Sequence, residues 1–246
     1  MYLYYIPMKH AVVLITHKPR DDVISFYNSL ENYDVFVIID DESTQHINAN
    51  YTNIQFVQIN SADCRKRGVR NTSHITLKKD VSGWDKALYH MIYNTRTYSH
   101  IWFIEDDIFI QNEHTLLDID NKYVDQDILC NSSFENGKLN EWLWKQINIQ
   151  YEPPYFCGMM CICRMSRHMI DALQSYAEKH NTLFFLEALF PTIAKKNQLK
   201  IFPSPDEFQT VVYRQDWKPN EIEAHKLYHP IKTNHITFRN QMAMTG

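Results

Sequence analysis

Residues 101–110 read IWFIEDDIFI, and this stretch decides which fold the chain can adopt. Four apolar residues, rich in aromatic and β-branched types, run directly into three consecutive carboxylates, and a second apolar run follows. A continuous apolar run this short is typical of a strand that is buried on both faces. Such strands belong to parallel sheets that helices cover on both sides. The stretch therefore predicts an α/β fold with this strand at its centre.

Glu105, Asp106 and Asp107 end the predicted strand, and three adjacent carboxylates are costly to place together. Like charges repel one another, and each resists desolvation unless a positive group lies among them. A divalent cation removes this cost, because hard cations take oxygen ligands. The alternative is an acidic loop that faces water after a core strand. Because the acids interrupt an apolar segment, we favour a metal site.

Composition places the chain among ordinary globular proteins. It has 246 residues, 44% hydrophobic and 22% charged, which suits one α/β domain with a sizeable core. A formal net charge of -4 gives no electrostatic footprint for nucleic acid. The five cysteines are odd in number and irregularly spaced, which argues against a disulfide framework and favours a reducing compartment. Since no apolar run can span a bilayer and residues 1–10 lack a signal-peptide pattern, we expect a soluble, cytoplasmic protein.

The first half of the chain alternates between predicted strands and helices. Continuous apolar runs predict buried strands at 11–15 and 35–39, and an alternating run at 54–59 predicts an edge or half-covered strand. The basic stretch 65–71 is expected to be less regular. The order strand, helix, strand, strand, helix, strand predicts a doubly wound α/β sheet.

Polar residues mark the predicted starts of three helices. Asp21 or Asp22 can cap the first helix, and Ser82 or Asp85 opens the helix that leads into the central strand. Ser166 is expected to cap a helix in the second half of the chain.

A second acid cluster, Asp40 and Asp41, follows the strand predicted at 35–39. Parallel strands end at one edge of a sheet, so both acid clusters are expected to face one crevice, where nucleotides commonly bind. The glycine motifs that cradle phosphates are missing, and the whole chain has only five glycines. If the protein binds a diphosphate, a metal and basic side chains must therefore hold it.

The segment after residue 140 is rich in aromatic residues and cysteines. Trp142 and Trp144 suit stacking on a sugar ring if they are exposed and core packing if they are buried. Cys157, Cys161 and Cys163 fall on one face of a predicted strand by period two. Their spacing matches no common zinc motif, so we assign them to the core.

Three further residues carry chemistry that the pattern leaves open. Glu187 lies inside an apolar segment, where partial burial would raise its pKa and suit a general base; the alternative is a solvated glutamate on a helix face. His229 and His235 lie near the C-terminus, where either can add a metal ligand or be an ordinary surface or core histidine.

With these residues in place, the chain resembles the GT-A superfamily of nucleotide-sugar glycosyltransferases from about residue 11 to residue 235. The motif that carries the resemblance is a DxD-type signature at the end of a hydrophobic strand, here Glu105, Asp106 and Asp107. The first acid of the signature is glutamate in this chain, where the pattern has aspartate.

The resemblance implies one GT-A-like (Rossmann-like) domain over residues 1–246, with a central mixed, mostly parallel sheet flanked by helices. The nucleotide-binding half would span about residues 1–125 and the acceptor-binding half about residues 126–246. The segment Phe156–Gly158 resembles the acceptor-side strand of that family.

The resemblance also implies roles for individual residues. Asp107 would ligate Mn²⁺ or Mg²⁺, Glu105 would lie at the ribose or the metal, and His229 or His235 would complete the metal site. Glu187 matches the catalytic base of inverting members. The remaining donor-binding positions would be Thr16, Asp40 and Asp41 beside the nucleoside, Asp106 within the signature, and Arg70 or Lys86 at the diphosphate or base.

The function implied is metal-dependent transfer of a sugar from a nucleotide-diphosphate sugar to a hydroxyl of a glycan or other acceptor, with inversion. Two alternatives stay open. Sugar-1-phosphate nucleotidyltransferases share the sheet and the metal, but they usually carry a glycine-rich basic loop where residues 16–21 of this chain read THKPRD. The other alternative is a non-catalytic α/β module that binds a nucleotide or a glycan.

Overall fold

A seven-stranded sheet with helices on both faces forms the centre of the protein, as a computed structural model shows. The structure describes residues 10–46, 50–73, 75–131, 143–203, 205–232 and 234–243. A separate two-stranded sheet lies beside the end of the central strand.

The strands and helices alternate along most of the chain. The strands are β1 (His10–Thr16), β2 (Asp34–Ile39), β3 (Ile54–Gln58), β4 (His100–Glu105), β5 (Phe109–Ile110), β6 (Ile128–Asn131), β7 (Met159–Ser166), β8 (Ile201–Pro203) and β9 (Leu227–Tyr228). The α-helices are α1 (Asp21–Asn28), α2 (Ser61–Lys66), α3 (Gly83–Tyr93), α4 (Glu113–Lys122), α5 (Arg167–His180), α6 (Leu186–Lys196) and α7 (His235–Ala243).

Strand order in the large sheet is β3-β2-β1-β4-β7-β6-β8. Strands β1 to β4 pair in parallel, β7 runs antiparallel to both of its neighbours, and β8 is parallel to β6. The predicted class, an α/β fold with a mixed, mostly parallel sheet flanked by helices, is therefore confirmed. The division into halves near residue 125 stays a prediction, and the sheet is continuous across that point because β4 pairs with β7.

Two separate apolar layers explain why the central strands are apolar without interruption. In β1, Val13 packs into the layer formed with α3, α5 and α6, whereas Val12 and Leu14 pack into the layer formed with α1 and α4. In β4, Phe103 faces the first layer and Trp102 the second. Since successive side chains point to opposite faces, a strand covered on both sides needs apolar residues at every position.

Most of the predicted element positions are confirmed. The three strands of the first half occur at the predicted positions, and β3 is a partly buried edge strand. Ser82 precedes α3, where its backbone N–H donates to the Asp85 carboxylate (2.7 Å) in a capping box, and Ser166 caps α5 by accepting from the Met169 N–H (3.2 Å). Trp144 is buried in the core, and Trp142 lies outside the described residues.

One local prediction was wrong, and a second holds only for residues 67–71, which lie outside any helix or strand. Asp21 and Asp22 do not cap α1, because the helix begins at Asp21 and Arg20 occupies the cap position. Their carboxylates lie in the first turn instead, where the helix dipole favours negative charge. The stretch expected to be irregular overlaps α2, which Asn60 caps by accepting from the Ala62 N–H (2.7 Å).

A buried ion pair joins α4 to β7 beneath the sheet. The guanidinium of Arg164, fully buried, donates to the carboxylate of Asp120 (2.8 Å) and to the Tyr123 carbonyl. The same carboxylate also accepts from Tyr33 (2.6 Å) and Trp102 (3.2 Å). A buried carboxylate with this many donors stays ionised, so removal of its cation leaves an uncompensated charge.

We expect Arg164→Met to lower the free energy of unfolding by about 3–5 kcal/mol, since Asp120 would stay buried without its counter-charge. Urea denaturation followed by circular dichroism measures this loss. The exposed pair between Lys122 and Glu207 (2.8 Å) provides the control, and Lys122→Met should cost less than about 1 kcal/mol. Equal losses in the two variants would contradict a structural role for the buried pair.

Candidate active site

Thr16 lies between the two acid clusters at the carboxyl edge of the sheet. It ends β1, pairs with Ile39 in register, and its carbonyl accepts from the Asp40 N–H (2.9 Å). Its hydroxyl donates to the carboxylate of Asp106 (2.5 Å). Both clusters therefore face the same crevice, as the parallel order of the strands predicts.

A group of potential metal-ligand atoms, here called the donor group, lies at the end of β4. Ligand atoms of Glu105, Cys161 and His229 all lie within 4.8 Å of one another. Asp107 extends this group, since its Oδ1 atom is 3.5 Å from Nε2 of His229. The donors come from β4 and its loop, from β7 and from the residue after β9, so only the folded chain brings them together.

Hydrogen bonds to neighbouring residues orient the side chains of the donor group. Nδ1 of His229 lies 2.7 Å from the Val212 carbonyl, which fixes the proton on Nδ1 and leaves Nε2 as the free ring nitrogen. The indole N–H of Trp84 donates to Glu105 (2.6 Å). This arrangement resembles the outer shell that holds metal ligands in place.

The titration of the acids reflects their burial. Desolvation raises the pKa of Glu105 to about 7, against the lowering effect of the Trp84 hydrogen bond. Desolvation also raises the pKa of Asp106, although the hydrogen bond from Thr16 works against it. Burial by itself would lower the pKa of His229, but the negative charge of the nearby Asp107 carboxylate raises it overall. The pocket therefore favours an added positive charge.

These residues fit a divalent cation. Within the described residues, Oδ1 of Asp107 is buried and has no hydrogen-bond partner. A buried carboxylate oxygen without a donor is costly, and a cation would satisfy it. Carboxylate oxygens and an imidazole nitrogen are ligands that Mn²⁺ accepts.

The second acid cluster is largely paired within the protein. Lys86, whose side chain is 1% exposed, lies 3.1 Å from Oδ1 of Asp40 and 2.7 Å from Glu42, and it donates to the Asp40 carbonyl (2.7 Å). Asp41 accepts from the hydroxyl (2.6 Å) and N–H (2.9 Å) of Ser43 and contacts His46, and these hydrogen bonds lower its pKa. Asp40, Asp41 and Lys86 thus form a rigid wall of the crevice.

Two predicted site residues lie apart from the donor group. Nε2 of His235, at the start of α7, lies 2.6 Å from the Ile231 carbonyl, and its ring packs edge-on against Phe109. Arg70 donates from Nε to the Asn181 carbonyl (3.2 Å), which ties the segment before α3 to the end of α5.

Glu187 lies in the first turn of α6 and is half-buried. Its backbone carbonyl accepts from the Gly158 N–H (2.8 Å), because Pro191, four residues later, has no N–H to donate. Thr192 forms further hydrogen bonds with both backbone groups of Phe156. Desolvation raises the pKa of Glu187 to about 7, as its apolar surroundings predict.

Aromatic packing connects Glu187 to the donor group. Phe190, one turn further along α6, packs against Trp84 with ring centroids 5.8 Å apart, and Trp84 holds Glu105. The carboxylates of Glu105 and Glu187 both raise the pKa of Cys161, which burial raises most. Glu187 therefore acts electrostatically on the same pocket.

A cavity of about 290 Å³ lies at the same edge of the sheet, between the two halves of the chain. Helix α5 ends at this edge and α6 begins there, because β7 runs antiparallel and carries the chain to the opposite edge. None of the described residues that line the cavity is charged. They are Asn71, Ser73, Gln146, Ile147, Asn148, Thr182, Leu183, Phe184 and Phe185.

Sequence reasoning missed three residues of this region. Cys161 was assigned to the core, because its chain neighbours include no ligand partner. Trp84 carries no pattern that predicts a contact with Glu105. Arg20 donates to the Asp106 carbonyl (3.1 Å) and to the Lys232 carbonyl, which joins the acid loop to the C-terminal segment. In all three cases the partner is distant in sequence.

Solved structures with a similar fold include two glycosyltransferases and one synthase. The galactosyltransferase LgtC, in complex with donor and acceptor sugar analogues, is 11% identical over 96% of this chain and 95% of its own, with a TM-score of 0.46. The bifunctional glycosyltransferase WbbM is 16% identical over 84% of this chain and 40% of its own, with a TM-score of 0.44. A 4-diphosphocytidyl-2C-methyl-D-erythritol synthase from Anaerococcus prevotii is 8% identical over 80% of this chain and 86% of its own, with a TM-score of 0.42.

Two of these structures belong to the class of enzymes that the sequence motif resembles. No protein-family model matches the chain, and no curated protein matches it. With identities below 25% and TM-scores below 0.5, function has to be inferred from the side chains of the site.

Among the described residues, no helix has the length and apolar character needed to cross a membrane.

The buried acids predict a stability that falls with pH in protein stripped of metal by EDTA. The folded protein keeps a proton on Glu187 up to pH about 7, whereas an unfolded glutamate, with a pKa of 4.5, loses it earlier. Between these values the folded state binds more protons than the unfolded state, so each rise in pH lowers the free energy of unfolding. We expect Glu187→Gln to be more stable than wild type at pH 8 by about 1–3 kcal/mol and nearly equal at pH 4.

Urea titrations at pH 4, 6 and 8 measure this difference. The matched control is Glu178→Gln on α5, where the carboxylate is exposed and the dependence on pH should match wild type. If Glu187→Gln also follows wild type at every pH, Glu187 faces solvent.

Proposed function

We propose that the protein is a metal-dependent glycosyltransferase that moves a sugar from a nucleotide-diphosphate sugar to an acceptor hydroxyl, with inversion. One observation carries the proposal: a buried carboxylate oxygen of Asp107, which accepts no hydrogen bond from any described residue, lies 3.5 Å from Nε2 of His229 at the carboxyl end of the central strand. In open α/β sheets this edge is where ligands bind. A solvated acidic turn would leave that oxygen in water.

Asp107, Glu105 and His229 are the residues that would hold Mn²⁺ or Mg²⁺ in this proposal. A bound divalent ion supplies positive charge that stabilises a departing nucleoside diphosphate. Trp84 and the Val212 carbonyl keep two of the ligands in place. His235 lies apart from this group, so His229 is the better candidate for the C-terminal ligand.

Basic side chains at the crevice would support the diphosphate and the nucleoside. Arg20 lies beside the acid loop, and Lys18 is 3.7 Å from Asp41 with 60% of its side chain exposed. The exposed ammonium of Lys18 and the remaining N–H donors of Arg20 can form charge-assisted hydrogen bonds to a phosphate. Lys86, by contrast, is committed to Asp40 and Glu42, so its proposed role is to shape the nucleoside wall.

Glu187 would remove the proton from the acceptor hydroxyl. A general base works best when its pKa lies near the working pH, and burial raises the pKa of Glu187 to about 7. The hydrogen bond between its carbonyl and the Gly158 N–H fixes the first turn of α6 against the segment that leads into β7. Attack by the acceptor oxygen on the anomeric carbon in a single displacement would invert that carbon.

The uncharged cavity beside Glu187 is the proposed place for the acceptor. Its amide and hydroxyl side chains can donate to and accept from sugar hydroxyls, and Phe184 and Phe185 give it an apolar floor. This lining favours a neutral, hydroxyl-rich acceptor over a charged one.

The first test is thermal unfolding in the presence of UDP-, GDP-, CMP- and dTDP-linked sugars, with and without Mn²⁺. A ligand that binds only the folded state raises the unfolding temperature. We expect stabilisation by one donor that requires Mn²⁺ and is lost in Asp107→Asn. Asp118→Asn, on the exposed face of α4, is the matched control and should respond as wild type does. No shift with any donor, with or without metal, would contradict the proposal and favour a non-catalytic module.

We expect Glu187→Gln to bind the donor as wild type does while transfer falls by a factor of about 100 or more, because the base is lost. Release of nucleoside diphosphate in the presence of an acceptor mixture measures transfer. Glu178→Gln is again the control. Transfer at the wild-type rate would remove Glu187 from this role, and pyrophosphate release from a nucleoside triphosphate and a sugar phosphate would instead indicate a nucleotidyltransferase.

A further inference from the structure

Cys161 lies among the donor atoms of the proposed metal site, although its sequence pattern assigns it to the core. Its Sγ atom belongs to the group within 4.8 Å that includes Glu105 and His229. The residue is only partly buried. Cys163, two residues later on β7, is fully buried in the apolar layer. Core packing accounts fully for Cys163, whereas Cys161 only borders the apolar layer of α1 and α4 and also lies among the ligand atoms.

We infer that Cys161 is a ligand of the metal site and that the site takes a thiophilic divalent ion, Zn²⁺ in preference to Mg²⁺. Thiolate, imidazole and carboxylate are the three ligand types that zinc takes in proteins, usually four at a time. Here Glu105, Cys161 and His229 lie close enough together to bind one ion, and Asp107 next to His229 is a further carboxylate. Mg²⁺ prefers oxygen ligands and water and has little affinity for sulfur.

Two further observations distinguish Asp107 from Asp106 as a neighbour of these three side chains. Oδ1 of Asp107 is buried with no hydrogen-bond partner among the described residues and lies 3.5 Å from Nε2 of His229. Asp106 is a poor fourth ligand, because its carboxylate accepts from Thr16 and its carbonyl from Arg20. Asp106 is thus hydrogen-bonded within the protein, whereas the Oδ1 atom of Asp107 lies next to His229.

Binding would exchange a proton for the ion. A cysteine side chain without a metal ion beside it ordinarily carries its proton at neutral pH. When a divalent ion enters, the S–H bond breaks, the sulfur becomes a thiolate ligand, and the proton passes to solvent. The negative charges that disfavour the bare thiolate are then neutralised by the ion.

The inference rests on the metal site of the proposed function, and cobalt spectroscopy tests it without a sugar donor. EDTA-stripped full-length protein is titrated with Co²⁺, which occupies zinc sites and gives a near-ultraviolet charge-transfer band only when a sulfur ligand is present. We expect this band in wild type and in Cys157→Ser, and its loss in Cys161→Ser. Cys157 is the matched control because it is partly buried on the same segment and is not part of the donor group.

Competition of Zn²⁺ and of Mg²⁺ against bound Mn²⁺, followed by the Mn²⁺ resonance signal, provides the second measurement. Cys161→Ser should lower the affinity for Zn²⁺ by a factor of about 10–100 and change that for Mg²⁺ by less than about threefold. A wild-type protein that binds Co²⁺ without the band, or a Zn²⁺ affinity that Cys161→Ser leaves unchanged, would overturn the inference. The wild-type spectrum is decisive even if a variant folds poorly.

The same experiments separate this inference from the proposed function. Donor binding that requires Mn²⁺, without any cobalt–sulfur band, would preserve the glycosyltransferase and exclude Cys161 as a ligand. The band without binding of any donor would establish the metal site and contradict the transferase.

Discussion

Burial of the Glu105 carboxylate is the constraint on which the rest of the site depends. Strand β4 is covered on both faces, so the acid that ends it leaves water, and desolvation raises its pKa to about 7. The Trp84 hydrogen bond offsets part of this cost. Asp107 and His229 lie close by, and neither supplies a permanent positive charge. A bound cation would stabilise a pocket of this kind, and this stabilisation connects the fold to the chemistry proposed for it.

Backbone hydrogen bonds at the start of helix α6 position Glu187, the proposed base. Pro191 has no N–H, so the Glu187 carbonyl has no hydrogen-bond donor within the helix. The Gly158 N–H donates to this carbonyl instead. The segment before β7 is thereby attached to the first turn of α6, and Thr192 attaches it a second time. Strand β7 also carries Cys161, so the proposed base and this candidate ligand are attached to the same strand. Movement of Glu187 relative to the segment before β7 would break these hydrogen bonds.

The sequence by itself determined the class of fold and the edge at which the site lies. Uninterrupted apolar residues in 11–15, 35–39 and 101–104 require burial on both faces, which only a helix-covered sheet provides. Acids directly after two of these strands must then lie at one edge. The apolar neighbours of Glu187 likewise predicted its raised pKa. These features are local, so the order of residues is sufficient to predict them.

Only the tertiary structure decided which of the candidate residues meet. His229 and His235 are equivalent in sequence, yet one lies beside Asp107 and the other against Phe109, because β9 pairs with β5 and fixes the chain just before His229. Cys161 faces Glu105 because β7 pairs antiparallel with β4, a choice that no local pattern records. Lys86 is occupied by acids that follow another strand. Such contacts join residues far apart in the chain, and their geometry follows from strand order and register.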